Sequence, residues 1–152
     1  MTEGVEVWFY HLERTALKDA LPDLLEKVLE RGLKAYVLGE GEGLLSDLDQ
    51  HLWACKPDSF IAHGLETEDQ AERQPVLIGS SEKAANGADI LLCVSAMNLP
   101  DLSGYKRCLI LFEGHDESHL GWARQQWKQL KSQSLNLAYW KQSEQGKWER
   151  AQ

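Results

Sequence analysis

The chain has 152 residues, 43% of them apolar and 26% charged, which is enough for one globular domain with a sizeable core. Its net charge of −8 argues against nucleic-acid binding over the whole surface, because affinity for phosphate accumulates with Lys and Arg. No apolar run approaches the roughly 20 residues a membrane helix needs, and the acidic opening MTEGVEVW lacks signal-peptide character, so a cytoplasmic protein without membrane contact is expected.

Val5 to Leu12 (VEVWFYHL) is β-branched and aromatic, the pattern of a buried first strand. Leu17, Leu21, Leu24, Leu25, Val28 and Leu29 then recur at helical spacing between Arg14 and Arg31, with Gly32 placed to end the helix. Pro22 falls inside this pattern, which predicts a kink or a late first turn. Ala35 to Leu38 (AYVL) is a short second strand, and Leu44, Leu45, Leu48, Leu52 and Trp53 outline a second amphipathic helix. Lys56 to Gly64 is extended or loop-like, and the acidic stretch 65–74 is expected to be a mobile loop.

Val76 to Ile78, Asp89 to Ser95 (DILLCVS) and Arg107 to Phe112 (RCLILF) are apolar throughout rather than alternating, as strands covered on both faces of a parallel sheet are. Asp116 to Ser132 forms a closing helix. Leu135 to Gln142 and Lys147 to Arg150 form a final strand or a hairpin, with 143–152 as a C-terminal tail. Strands alternating with helices predict an α/β fold: one domain over residues 1–152, a three-layer α/β/α sandwich, Rossmann-like, around a mostly parallel central sheet.

That fold class raises nucleotide binding, and Gly39-Glu40-Gly41-Glu42-Gly43 lies where a phosphate loop would be. The spacing is not GxGxxG, no Lys-Ser/Thr end follows, and two glutamates would repel phosphate, so a flexible turn is expected and no cofactor. His115 and His119 are four apart at a helix start, which would suit a metal-dependent hydrolase if His63 or Glu113 gave a third ligand. Asp116 and Ser118 have a simpler use as helix-capping and first-turn residues. No GxSxG elbow or catalytic cysteine pattern is present, and His11, His51 and His63 stand singly. Cys55, Cys93 and Cys108 form no CxxC pair and fit a reducing compartment, with the last two in strands. No catalytic activity is expected.

Two stretches remain. Leu52 to Gly64 (LWACKPDSFIAHG) sets Trp53 and Phe60 around a proline turn, the content of a core or of a protein-binding patch. Residues 120–141 carry Arg124, Lys128, Lys131 and Lys141 and no carboxylate, whereas the 119 residues before them carry ten Lys/Arg against 22 Asp/Glu. Leu120, Ala123, Trp127 and Leu130 step by three or four as a buried stripe, flanked by Arg124, Lys128 and Lys131. An aromatic edge beside Arg and Lys suits a short acidic peptide with an apolar end. Nucleic-acid phosphate is the competing ligand, opposed by the acidic remainder of the chain.

Taken in order, VWFYHL, the LW…SF…HG block, DILLCVS, CLILFEGHDESHL, the Arg124-x-x-Trp127-Lys128 helix and LNLAYWK resemble the chi-subunit family of bacterial DNA polymerase III holoenzyme. The resemblance implies a non-catalytic accessory subunit on the clamp-loader side of the replicase. It further implies that Arg124, Trp127 and Lys128 bind the acidic, phenylalanine-ended C-terminal tail of single-stranded-DNA-binding protein; Lys131, flanking the same stripe, is expected to join them. Trp127 stands where well-known members have tyrosine, which keeps an apolar wall and loses a hydroxyl. By the same resemblance, Trp53 and Phe60 belong to an aromatic surface for the psi subunit or another clamp-loader subunit. DNA would then be reached mainly indirectly.

Overall fold

The computed structural model describes residues 5–13, 15–54, 62–102, 104–133, 135–145 and 147–151. The strands are β1 (Glu6–Leu12), β2 (Ala35–Leu38), β3 (His63–Leu65), β4 (Val76–Gly79), β5 (Ile90–Cys93), β6 (Arg107–Glu113), β7 (Asn136–Gln142) and β8 (Trp148–Arg150). The helices are α1 (Leu17–Glu30), α2 (Glu42–Ala54) and α3 (Glu117–Ser132). One sheet runs in the order β3-β4-β2-β5-β6-β1-β7-β8, parallel throughout except for the antiparallel β7–β8 pair. The expected α/β sandwich with a mostly parallel sheet is therefore what forms.

The strand side chains alternate between two cores, as a period of two requires. Ala35 and Val37 join one cluster while Tyr36 and Leu38 join the other; Leu109 and Leu111 face away from Cys108, Ile110 and Phe112 in the same way. The first core packs α1 and α2 on the sheet, and the second packs α3 with the segments around Ala84, Met97, Leu99 and Tyr105. From β1 the chain steps towards β3 over the first face, then returns towards β7 over the second. A uniform crossover hand demands this change of face when the direction reverses.

Helix α1 begins at Leu17, later than the pattern from Arg14 indicates, and runs on through a buried Pro22; Arg14 itself lies outside the described residues. Its end follows the glycine expectation. Gly32 has φ 72°, its N–H donates to the Leu29 carbonyl at 2.9 Å, and the Leu33 N–H donates back to Val28 at 3.2 Å. This double closure is the Schellman arrangement, which only a residue free to take left-handed backbone makes cheaply. In α2, Leu48 and Leu52 face the core, whereas Trp53 points outward with 57% of its surface exposed.

The span 65–74 has more structure than a plain loop. It follows the edge strand β3, contains a 3-10 turn at Ala71–Arg73, and begins with a carboxylate at the centre of a network. The Glu66 side chain accepts from Tyr36 Oη (3.0 Å), from the Ser80 and Ser81 N–H groups (both 3.2 Å) and from Ser81 Oγ (2.8 Å). Burial pushes its pKa up, but these donors outweigh burial and hold it below the ordinary value. Gly79 makes room for this, since a Cβ there would run into the Glu66 carboxylate. After β7 the chain likewise folds back as β8, and the Ser143 N–H donates to the Lys147 carbonyl at 2.7 Å.

Replacing Gly79 by Ala should therefore destabilise the protein by about 1–3 kcal/mol in urea unfolding, the usual cost of overpacking. Adding Glu66→Ala should relieve part of that loss, so the double variant should fall short of the sum of the two single ones.

Candidate functional site

Helix α3 starts on Asp116, whose carboxylate accepts from the Ser118 N–H (3.0 Å) and the His119 N–H (3.2 Å). Glu117 in its first turn and Lys131 in its last match the helix dipole. Ala123 and Leu130 are its buried stripe, and the Trp122 indole donates to the Met97 carbonyl at 3.0 Å, which holds the helix to the second face. Leu120 and Trp127 are only partly buried.

That orientation brings Trp127 over the β1–β7 junction. Its ring lies edge-on to Phe9 at 5.2 Å and to Tyr139 at 5.8 Å, and Phe112 stands 6.1 Å from Tyr139. A cleft of about 410 Å³ opens here. Phe112, Trp127 and Tyr139 form its aromatic wall, and Arg124, Lys128 and Lys141 supply three cations. Ala151 closes one end, its N–H bonded to the Tyr139 carbonyl at 2.6 Å.

Strand register makes this wall stiff. His11 sits between Phe112 and Lys141 in adjacent strands, and its Nδ1 is 2.7 Å from the Tyr139 hydroxyl. Gly114 allows the β6 exit to approach, because a Cβ there would strike the His11 ring. Burial lowers the His11 pKa; Glu13, 3.6 Å away, pulls it up, and Lys141 and Arg124 push it further down. Burial raises the Tyr139 hydroxyl, with Arg124 opposing. Lys141 is 3.9 Å from Glu13, whereas Arg124 and Lys128 are exposed and make no ion pair among the described residues. They are available to an anion from outside.

Of the residues singled out from the sequence, the fold brings Arg124, Trp127 and Lys128 together at this cleft. Lys131 lies in the last turn of α3, exposed, and does not line it. Trp53 is at the opposite edge of the sheet and on the other face, where α2 packs on β3 and its ring lies 4.4 Å from His63. Phe60 and Cys55 lie outside the described residues. Phe112 and Tyr139 were not singled out. The signal was the alternation Leu137, Tyr139, Lys141 in β7, which points them to one face but does not say which strand lies beside them.

The enzymatic alternatives find their residues otherwise engaged. The connections from β2 and β5 leave in opposite directions, so the crevice where doubly wound sheets hold ligands falls between their carboxyl ends. Gly39 and Ser95 close it: a Cβ on Gly39 would lie 3.0 Å from Val94, and the Glu40 N–H donates to Ser95 Oγ at 3.0 Å. His119 accepts the Glu113 N–H at 3.4 Å, while exposed His115 pairs with the Glu113 carboxylate at 3.0 Å. Among the described residues no group of three or more His, Cys, Asp or Glu is placed to hold a metal, so the hydrolase alternative lacks support. Burial raises the Cys93 thiol to about 12 and Cys108 well above its ordinary value, which leaves neither as a nucleophile. His51 is 3.4 Å from Asp19, and His63 is 3.2 Å from the Asp49 carboxylate. No helix among the described residues is long and apolar enough to cross a membrane.

Fold and cleft together define a class, a mostly parallel α/β domain with three cations set around an aromatic wall. The family described as DNA polymerase III chi subunit, HolC, matches residues 4–138, and the chain belongs to that family. The chain is 28% identical over 116 residues to DNA polymerase III subunit chi of Haemophilus influenzae, covering 76% of this chain and 81% of that one. It is 35% identical over 69 residues to the Pseudomonas aeruginosa subunit chi, a match spanning 45% of this chain and about half (47%) of that relative. A probable subunit chi of Rickettsia prowazekii is 24% identical over 104 residues, 68% of this chain and 63% of that one. The family is that of an accessory subunit of a DNA polymerase complex, not of the polymerising chain.

His11 and His119 both titrate below the ordinary imidazole value, chiefly through burial. Below pH about 6.5 the unfolded chain therefore binds protons that the folded one refuses, and stability falls as pH drops. Urea midpoints should be lower at pH 5.5 than at 7.5, and a His11→Asn/His119→Gln variant should lose less between the two.

Proposed function

We propose that this chain is an adaptor of the bacterial replicase. It takes the acidic C-terminal tail of single-stranded-DNA-binding protein into the α3–β7 cleft and ties it to the clamp-loader side of polymerase III. The observation that carries this reading is the meeting of Arg124, Trp127 and Lys128 with Phe112, Tyr139 and Lys141 around one cleft. Arg124 and Lys128 attract the tail's carboxylates, Arg124 through a two-pronged guanidinium contact. The aromatic wall takes the terminal phenylalanine, edge against face. Lys141 stands across the cleft for the chain-terminal carboxylate.

Exposed Trp53 supports a second protein contact at the far edge of the sheet, with psi or another clamp-loader subunit as the partner and Phe60 as its sequence neighbour. DNA is then reached mainly through the tail's own protein, and the chain works in the cytoplasm.

A tail peptide should bind with micromolar affinity, on the order of −8 kcal/mol, and more weakly as salt rises. Arg124→Ala should cost about 1–3 kcal/mol in a fluorescence titration and Lys128→Ala somewhat less. A peptide lacking its last residues should not bind. Unchanged affinity in both variants would sink the site.

A further inference from the structure

The opposite face of the same strands carries a second concave site. Helix α1 packs over β2 and β6, and beside it β1, β7 and β8 present Trp8, Tyr10, Trp140 and Trp148. Trp140 is 5.4 Å from Trp8 and stacked beside Tyr10 at 6.2 Å, and Trp148 meets Tyr10 edge-on at 4.9 Å. Between these rings and α1 lies a cavity of about 180 Å³, with Leu24 and Val28 on its helical side. Lys27 and Arg31 reach it from the end of α1, and Arg107 from the start of β6.

Two groups in this lining are incompletely satisfied. The Arg107 guanidinium lies 3.8 Å over the Trp8 ring and gives one end to Glu6 at 3.2 Å, but its Nε is buried without a hydrogen-bond partner among the described residues. The Trp140 indole nitrogen is buried and unpartnered in the same way. Both are donors only, and an unpaired buried donor is destabilising. Lys27, Arg31 and Arg107 bring positive charge to the cavity, which suits an anionic acceptor, and the two unpartnered donors belong to side chains of its wall.

The walls narrow the ligand further. They are mostly aromatic and aliphatic, so the acceptor is attached to an apolar body. The volume is below the roughly 300 Å³ at which drug-sized pockets begin, so that body is about one ring. A stacked nucleobase is disfavoured, because Arg107 already covers Trp8 and Trp148 abuts Tyr10. We propose that the cavity bounded by Trp8, Trp140, Arg31 and Arg107 is a second binding site, for a carboxylate joined to a single apolar ring. Such a group comes either from the end of a peptide whose last residue is aromatic or from a free aromatic acid. The proposal is independent of the tail cleft, which lies on the other face.

The test follows the indole N–H resonances of the whole protein by nuclear magnetic resonance during titration with N-acetylphenylalanine, phenylacetate, N-acetylphenylalaninamide and thymidine monophosphate. The Trp140 resonance should move to saturation with the two acids, with a Kd of about 1 mM. The amide should bind about tenfold more weakly or not at all. A tighter Kd for N-acetylphenylalanine than for phenylacetate assigns the source as a peptide end, and the reverse assigns a free acid. Arg107→Gln should weaken the effect about tenfold. Arg31→Gln, at the rim and outside the sheet, should weaken it severalfold without touching the fold, and Arg124→Ala should leave it unchanged. The proposal is overturned if Trp140 does not move, if the amide or the nucleotide acts as well as the acids, or if Arg124→Ala abolishes the shift while the Arg31 and Arg107 variants keep it.

Discussion

The position of β1 between β6 and β7 is the constraint on which both concave surfaces depend. Buried on both faces, β1 must send successive side chains to opposite cores. Val7 and Phe9 go under α3, and Trp8 and Tyr10 go to the face beside α1. Phe9 sets the depth at which Trp127 rests, and the parallel register with β7 puts Tyr139 directly beside Phe9. A slip of one residue in that pairing would exchange Tyr139 for Trp140 and dismantle both concave sites at once. The His11–Tyr139 hydrogen bond, which needs the same register, adds a polar lock to an otherwise apolar choice.

Much of the fold was legible because the parallel strands bury both faces and so appear as unbroken apolar runs, as in RCLILF and ILLC. The helices were legible from their leucine spacing and, for α1, from Gly32. Three things were not. The start of α1 was not marked, since its N-cap, Ala16, makes no side-chain hydrogen bond. The 65–74 stretch looks like a solvated acidic loop because nothing in its sequence reveals that Glu66 meets Tyr36, Ser80 and Ser81, fourteen or more residues away. The cleft was visible only as half a site. Arg124, Trp127 and Lys128 share one helix and so declare themselves by spacing, but Phe112 and Tyr139 come from strands whose adjacency is a property of topology.

Electrostatics gives the cleft a particular character. The chain as a whole carries −8, yet Arg124, Lys128 and Lys141 gather within one cleft, with the Glu13 carboxylate 3.9 Å from Lys141. At physiological salt, charges further apart than about 8 Å are largely screened. A ligand seated in the cleft therefore responds to the local cations, while a long polyanion extending over the surface meets the acidic remainder. If the cleft takes a ligand as proposed, that difference would favour short acidic segments over extended nucleic acid. It acts as selection by length of contact, without any clash built against phosphate.

The geography of the exposed groups carries this further. Trp53 stands at the β3 edge on the α1–α2 face, and the cleft stands near the β7 edge on the α3 face, so the two are separated by most of the width of the sheet. Neighbouring strands are about 4.8 Å apart, and the path from β3 to β7 crosses six intervals, or about 29 Å. Ligands seated at these two places therefore need not compete for space. Energetic coupling between them would have to pass through a sheet of fully buried residues such as Tyr36, Leu91 and Ile110, which is packed too closely to deform gradually. On the adaptor reading proposed above, such independence would let each partner bind without changing the affinity for the other, with the link between them set by the sheet.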